Sequence, residues 1–304
     1  MVKSIKVRVP GTTANCGPGF DAVGIACSIY NEMTLTLTND NKCSITITGE
    51  GASAIPCNDR NVAFHAVKLV LERINQEYSG VSINMHNNVP LARGLGSSAT
   101  AIVAGLVVAN AATGNQLTTD ELFDMATDME GHPDNVAPAL FGGVTVSLME
   151  GKKPHYIRFM PAFPLKLVVA VPQFTLSTKQ ARQVLPQQVP FRDAVFNVSR
   201  SAALIGALTQ GRIDILKYAL ADKLHQPYRQ KLIPGMPEVL EAAIAEGAIG
   251  ATLSGAGPCL IAYTQEEREK QIGDAMVNAF AGHNIQAYYI PLSIDTDGAK
   301  VVMS

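Results

Sequence analysis

The chain has 304 residues, 47% hydrophobic and 16% charged, with 24 basic against 26 acidic side chains. That length allows two packed domains, and the near-zero net charge without a Lys/Arg-rich run excludes an electrostatic footprint for nucleic acid or an anionic membrane. The cysteines at 16, 27, 43, 57 and 259 form no C-x-x-C pair, which argues against a disulfide framework or zinc site and for reduced thiols in the cytoplasm.

Ile5, Val7 and Val9 alternate, so the start of the chain reads as a strand and not as a signal segment, and Pro10-Gly11 is expected to end it. Thr12 to Asp21 is too rich in glycine and proline for a regular element. It reads as a loop able to bend Asn15 and Asp21 into one pocket, unless both serve only as turn formers. Met33–Leu37 and Ser44–Ile47 form two strands around an Asn39-Asp40-Asn41-Lys42 turn. The spacing of Val62, Ala66, Leu69 and Ile74 predicts a helix from Asp59 to Glu77 capped by Asn58 or Asp59, with His65 as a packing histidine. Val81, Ile83 and Met85 make the next strand.

That strand delivers the stretch Pro90-Leu91-Ala92-Arg93-Gly94-Leu95-Gly96-Ser97-Ser98-Ala99-Thr100. Two glycines around one leucine allow a tight turn with positive φ, and two hydroxyls follow where a helix begins. Free N–H groups in that first turn, the helix dipole and the serine hydroxyls make an anion cradle, to which Arg93 adds charge. Gly94-x-Gly96-x-x-Ala99 also fits a dinucleotide fingerprint, but such a motif belongs in a first βα turn, and here strands and a helix precede it. No Walker A lysine follows, and the protein-kinase motifs are absent. The helix that leaves the cradle, Ser98–Ala112, is apolar and too short to span a bilayer.

Thr118-x-x-Glu121 is a capping box for a helix running to Glu130. In Glu130-Gly131-His132-Pro133-Asp134-Asn135, a short helix starts from Asp134 or Asn135. By itself Glu130 reads as a solvated helix-end carboxylate, while His132 stands too near acidic residues to be a simple core histidine. Val144–Leu148 is a strand, and Glu150–Pro154 has the composition of a domain boundary. Leu165–Val171 is a buried strand, Ser177–Arg182 starts a helical turn, and helices fill Asp193–Gln210 and Ile213–Leu220. Gly250–Pro258 runs from a strand into a glycine-rich turn, after which Cys259–Tyr263, a helix Glu266–Ala281, Ile285–Ile290 and Lys300–Met303 complete a β-α-β alternation.

Pro90-x-x-x-Gly94-Leu-Gly96-Ser97-Ser98-Ala99 resembles the phosphate-binding motif of the GHMP kinases, the superfamily of galactokinase, homoserine kinase, mevalonate kinase and phosphomevalonate kinase. Thr13-x-Asn15-x-x-x-Gly19-Phe20-Asp21, Ser177-Thr178-x-x-Ala181-Arg182 and the glycine motif at 250–258 are similar to stretches of the homoserine kinases. The resemblance covers essentially the whole chain. It implies an α+β fold of two domains: residues 1–150 an N-terminal ATP-binding domain of ribosomal-protein-S5-domain-2 type, and residues 151–304 a C-terminal ferredoxin-like α/β sandwich.

The activity implied is transfer of the γ-phosphoryl group of ATP to the hydroxyl of L-homoserine, a step of threonine biosynthesis. ATP would lie on Pro90 to Thr100, with Asn61 near the base, and Mg²⁺ on Ser98 and Glu130. Asn15, Asp21, His132, Thr178, Arg182 and Arg229 would bind the amino acid. Asp134, Asn135 and Arg182 are the catalytic candidates; mevalonate kinase has an aspartate base in the matching region, and which of Asp134 and Asn135 faces the hydroxyl stays open. The implied partner is the small substrate alone, without nucleic acid or membrane, and a homodimer is compatible with the resemblance.

Overall fold

The computed structural model describes residues 4–302 other than Asn39, Asn41 and Glu266. Two sheets carry these residues. The first holds β1 (Ser4–Asn15), β2 (Gly19–Thr38), β3 (Cys43–Gly49), β4 (Gly80–Asn87), β5 (Val144–Glu150), β6 (Lys153–Phe159) and β11 (Lys300–Val302). Its path is β11-β1-β2-β4-β3, and the long β2 also pairs with β5, which pairs with β6. The second sheet is antiparallel throughout, in the order β10 (Ala287–Ser293), β7 (Lys166–Pro172), β9 (Leu260–Thr264), β8 (Gly250–Leu253).

Several elements differ from the sequence expectation, each for a local reason. Pro10-Gly11 does not end β1, because register shifts at Pro10/Gly11 and Ala14/Asn15 absorb the irregular residues as bulges. The expected loop Thr12–Asp21 is therefore mostly strand, closed by a turn in which Asn15, Cys16 and Gly17 have φ of 72°, 46° and 78°. The strands before and after Asp40 do not pair with each other. β4, whose Val81, Ile83 and Met85 are buried, takes the central place beside β2, and the largely exposed β3 adds parallel on its far side. Of the turn between them, Asn39 and Asn41 lie outside the described residues.

The first long helix, α1, spans Val62–Arg73 and is capped by Asn61, not Asn58 or Asp59; the Asn61 side-chain oxygen accepts from the N–H groups of Ala63 (2.9 Å) and Phe64 (3.2 Å). His65 is exposed on it. Helix α2 (Ser97–Ala112) is buried on almost every side, and α3 (Thr119–Glu130) starts at the Thr118/Glu121 capping box. A short α4 (Val136–Phe141) follows. These helices pack on the first sheet around Val9, Leu35, Ile83, Val103 and Leu106.

Strand β7 separates two further cores by alternation. Leu167, Val169 and Val171 face Leu204 and Leu208 of α6 (Phe191–Gln210), Leu216 of α7 (Ile213–Ala219) and, from the first half, Val23, Ile25, Val89 and Leu95. Val168 and Ala170 face α9 (Met236–Ala245) and α10 (Glu269–Gly282). Two short helices, α5 (Thr178–Gln183) and α8 (Gln226–Arg229), border the junction, and no local sequence pattern marks α8.

Glu150–Pro154 is the tip of the β5–β6 hairpin, so the first sheet continues to Phe159, and β11 returns to it beside β1. Glu266 and Met303, expected ends of a helix and a strand, lie outside the described residues. Among the described residues no helix is long and apolar enough to cross a membrane. All five cysteines are free; Cys16, Cys27 and Cys259 are buried, and burial pushes the Cys16 thiol up to about 12.

Candidate active site

A cavity of about 490 Å³ opens where the cradle, the β1–β2 turn, the α3–α4 link, α5 and the turn after β8 meet. The cradle is its floor. Gly94 and Gly96 have φ of 83° and 69°, a region costly for any residue with a Cβ. Space is as restrictive as conformation. A Cβ on Gly94 would fall 2.1 Å from the Ser254 carbonyl oxygen, and one on Gly96 would fall 1.9 Å from the Thr12 hydroxyl. The loop is thus shaped by what lies behind it, while the cavity opens in front.

The second half of the chain holds that shape. The Ser254 hydroxyl is 2.7 Å from the Gly94 carbonyl and 2.8 Å from the Thr13 hydroxyl, while Cys259 N–H donates to Arg93 O and Leu176 N–H to Ala92 O, both at 3.2 Å. The glycine motif after β8 therefore closes against the cradle. Leu91, Ala92, Arg93, Gly94, Gly96, Ser97 and Ser98 line the cavity, whereas Pro90, Leu95, Ala99 and Thr100 stand outside its lining. Leu95 is buried in the core between the halves, and Thr100 is a brace that donates to Ser97 O (2.8 Å) and accepts from Asn31 (2.9 Å). Arg93 lines the cavity, but its Nε–H is turned to Pro172 O at 3.0 Å.

Ile55, Pro56, Val62 and Met85 bring apolar surface to the cavity, beside Asn61 and Asn87. Only Asn61 was singled out in the sequence, and its amide is committed to structure: the oxygen caps α1 and the nitrogen donates to Pro56 O at 2.8 Å. The others carry no motif. They come together because β4, α1 and the turns after β3 converge.

At the start of α2 the Ser98 hydroxyl donates to Glu130 Oε2 at 2.8 Å. Burial holds the Glu130 carboxyl above its ordinary value, with the Ser98 hydrogen bond partly opposing it. Among the described residues no group of three or more His, Cys, Asp or Glu could hold a metal. One hydroxyl and one carboxylate nevertheless suit Mg²⁺, which takes hard oxygen donors, keeps several waters and completes its shell on phosphates.

The amino-acid candidates gather at the same cavity, but already engaged with one another. Arg182 forms a two-pronged pair with Asp21, both N–O distances 2.9 Å. Asn15 is buried and used at both ends: its nitrogen donates to Gly255 O (2.8 Å) and its oxygen accepts from Asp21 N–H (3.0 Å). Arg229 is 2% exposed and donates from Nε to Ala181 O (3.1 Å) and from Nη1 to Gly255 O (3.0 Å). Among the described residues no hydrogen bond engages its Nη2. Burial and the nearby Arg182 lower the Arg229 guanidinium to about 10, so it stays a cation near neutrality. Thr178 is exposed at the start of α5 and lines the cavity.

His132 Nδ1 lies 2.6 Å from Asp134 Oδ1, and this hydrogen bond raises the imidazole above its ordinary value. The Asn135 amide also donates to Asp134 Oδ1 at 3.3 Å. Asp134 is therefore turned toward His132 and nearly buried, at 2% exposed. Asn135 is the one beside the cradle: its Oδ1 accepts from the Thr12 hydroxyl at 2.8 Å and lies 3.2 Å from where a Cβ on Gly96 would be.

Comparison with known proteins places the chain in a family. Residues 61–143 match the GHMP kinases N terminal domain and residues 204–282 the GHMP kinases C terminal domain. A homoserine kinase from Moorella thermoacetica is 45% identical over 296 residues, covering 97% of this chain and 99% of that protein. One from Synechocystis is 44% identical over 302 residues, with 98% of each chain covered. The crystal structure of homoserine kinase from Cytophaga hutchinsonii superposes with a TM-score of 0.91 at 30% identity, over 98% of this chain and 97% of its own. An L. major mevalonate kinase in complex with R-mevalonate shares the fold at 20% identity and a TM-score of 0.70.

Proposed function

The chain belongs to the homoserine kinases of the GHMP kinase family, and on that premise we propose that it transfers the γ-phosphoryl group of ATP to the side-chain hydroxyl of L-homoserine, giving O-phospho-L-homoserine for threonine synthesis in the cytoplasm. One observation carries this reading to the site: a cradle built for phosphate and a matched pair of opposite charges open into one cavity. The sheet that carries the ATP-binding half takes in β6 and β11 from beyond the boundary expected at residue 150.

The N–H groups of Ser97 and Ser98, at the positive end of α2, receive the phosphates. Ser98 and Glu130 would hold Mg²⁺, whose charge would offset that of the phosphates. A cation also relieves the cost of a buried Glu130 carboxylate. Asn135 presents its Oδ1 beside Gly96, fixed by the Thr12 hydroxyl, while Asp134 orients its neighbours His132 and Asn135 instead of taking the hydroxyl proton. Phosphoryl transfer through a loose transition state depends mainly on positioning and charge, so a carboxylate base is not required at this place.

The Asp21–Arg182 pair explains why the acceptor is a zwitterion. Ammonium joins Asp21 and carboxylate joins Arg182 and the free Nη2 of Arg229, so a substrate with both charges enters without leaving either partner bare. An alcohol carrying only a carboxylate, such as mevalonate, leaves Asp21 facing an anion. Turnover with ATP and Mg²⁺ tests the reading, with homoserine, mevalonate and galactose as parallel acceptors. Phosphorylation of homoserine well above the other two is expected, and equal or greater turnover of either would overturn the assignment.

A further inference from the structure

Beneath the amino-acid end of the cavity lies a histidine with no part in the chemistry above. His225 is fully buried, immediately before α8. Its Nε2 is 2.7 Å from the carbonyl oxygen of Gly17, and its Nδ1 is 3.3 Å from Nη1 of Arg229. These neighbours fix its protonation state. A carbonyl only accepts and a guanidinium only donates, so Nε2 carries the hydrogen and Nδ1 presents a lone pair. Burial, the main influence on this ring, favours the neutral form against the opposing pull of Asp222, whose Oδ2 lies 3.6 Å from Nε2.

The surroundings fix its position. Asp222 accepts from the backbone N–H of Leu224 (2.9 Å), His225 (3.0 Å) and Gln226 (2.7 Å), holding the segment that leads into α8. The imidazole stacks on Phe20 with ring centres 5.1 Å apart, and the same Phe20 ring lies 5.2 Å from the Arg229 guanidinium and 5.7 Å from that of Arg182. His225 thus touches both sides of the amino-acid pocket. Through Gly17 it meets the β1–β2 turn that brings Asn15 and Asp21, and through Nδ1 it meets the arginine that brings a cation.

We propose that His225 is a positioning residue for homoserine: as the neutral Nε2–H tautomer it aims Arg229 and sets its separation from Asp21, so that both ends of the substrate's amino-acid group are met at once. This rests on Arg229 being the carboxylate partner. The turn also reaches the Arg229 head through Asn15, whose amide shares the Gly255 carbonyl with Nη1, and through the Phe20 ring, whereas His225 is hydrogen-bonded both to the turn and to the guanidinium itself.

Steady-state kinetics on folded variants test it. Asparagine places an acceptor near the Nδ1 position, and glutamine places a donor near the Nε2 position. His225→Ala and His225→Gln should each raise KM for homoserine about tenfold, with KM for ATP and kcat within about twofold of wild type, and His225→Asn should recover most of the loss. In an Arg229→Leu background, His225→Ala should add less than about a further twofold. If His225→Ala does not fold, the Asn and Gln variants still separate the two contacts. Unchanged homoserine KM in His225→Gln, an equal rise in KM for ATP, or a full second loss in the Arg229→Leu background would each overturn the proposal. Should Arg229→Leu alone leave homoserine KM unaltered, the carboxylate reading fails first, and that outcome is distinct from all of these.

Discussion

The two ends of the cavity are made in different ways. The phosphate end is one contiguous stretch whose shape comes from glycine backbone pressed against Thr12 and Ser254, and its arginine is turned to a carbonyl. The amino-acid end is assembled from the β1–β2 turn, the α3–α4 link, α5 and α8, and its side chains are charged and mutually paired. On the proposed reading one end recognises by excluded volume and N–H groups, the other by charge. ATP affinity should therefore respond sharply to an added methyl group and weakly to a lost charge, and homoserine affinity should do the reverse.

The largest effect is expected at Gly96. A side chain there meets Thr12 Oγ1 at 1.9 Å with φ at 69°, so Gly96→Val should abolish ATP binding and also destabilise the fold by about 3 kcal/mol or more. Thr12→Ala separates the two causes. In that background Gly96→Ala loses the hydroxyl collision behind the loop, and thermal stability should largely recover while ATP affinity, read by calorimetry, stays depressed. Recovery of both would mean that the glycine serves packing alone.

Next come the charges. Asp21→Asn and Arg229→Leu should each raise KM for homoserine by at least about tenfold, roughly 1.4 kcal/mol, with KM for ATP little changed. Arg182→Lys should also be impaired, because an ammonium cannot keep both 2.9 Å bonds to Asp21. Homoserine without its amine should be a poor substrate for wild type and be hardly affected by Asp21→Asn. A parallel loss for both substrates would take Asp21 away from the ammonium.

Glu130→Gln should act more mildly, raising the Mg²⁺ needed for half-maximal turnover by about three- to tenfold, since an amide keeps the Ser98 contact but not the charge. Saturating Mg²⁺ should restore most of the rate. No shift in the Mg²⁺ requirement would remove Glu130 from the metal.

The same contrast explains what could be read in the sequence. Gly94, Gly96, Ser97 and Ser98 are legible because backbone shape is written in neighbouring residues, and the Thr118/Glu121 capping box for the same reason. Candidates at Asn15, Asp21, His132, Arg182 and Arg229 emerged from resemblance, but that Asp21 and Arg182 face each other depends on contact across 161 positions. Nor does local pattern tell that Asn61 closes on α1 instead of Asn58, or that β4 inserts between β2 and β3; those outcomes are decided by packing. His225 carries no local motif, and its meaning lies in Gly17 and Arg229, which only the fold brings to its two nitrogens.

The smallest expected effect sharpens the charged end further, through the pH dependence of stability. His132 titrates above its ordinary value, first because of its hydrogen bond to Asp134, so the folded chain holds that proton more tightly than the unfolded chain does. The stabilisation is fully present below the unfolded histidine value, about 6.5, and is lost as pH rises through the higher folded value. His132 is partly open to solvent, its side chain 21% exposed, which limits the pair to about 1 kcal/mol. Wild type should therefore lose thermal stability across this interval relative to His132→Asn, whose curve lacks this step. Below pH 6 wild type should be the more stable of the two, and by pH 9 the gap should have narrowed. Curves that run parallel from pH 5.5 to 9 would show that His132 titrates alike in the folded and unfolded chains, and the 2.6 Å contact would then favour neither form of the imidazole.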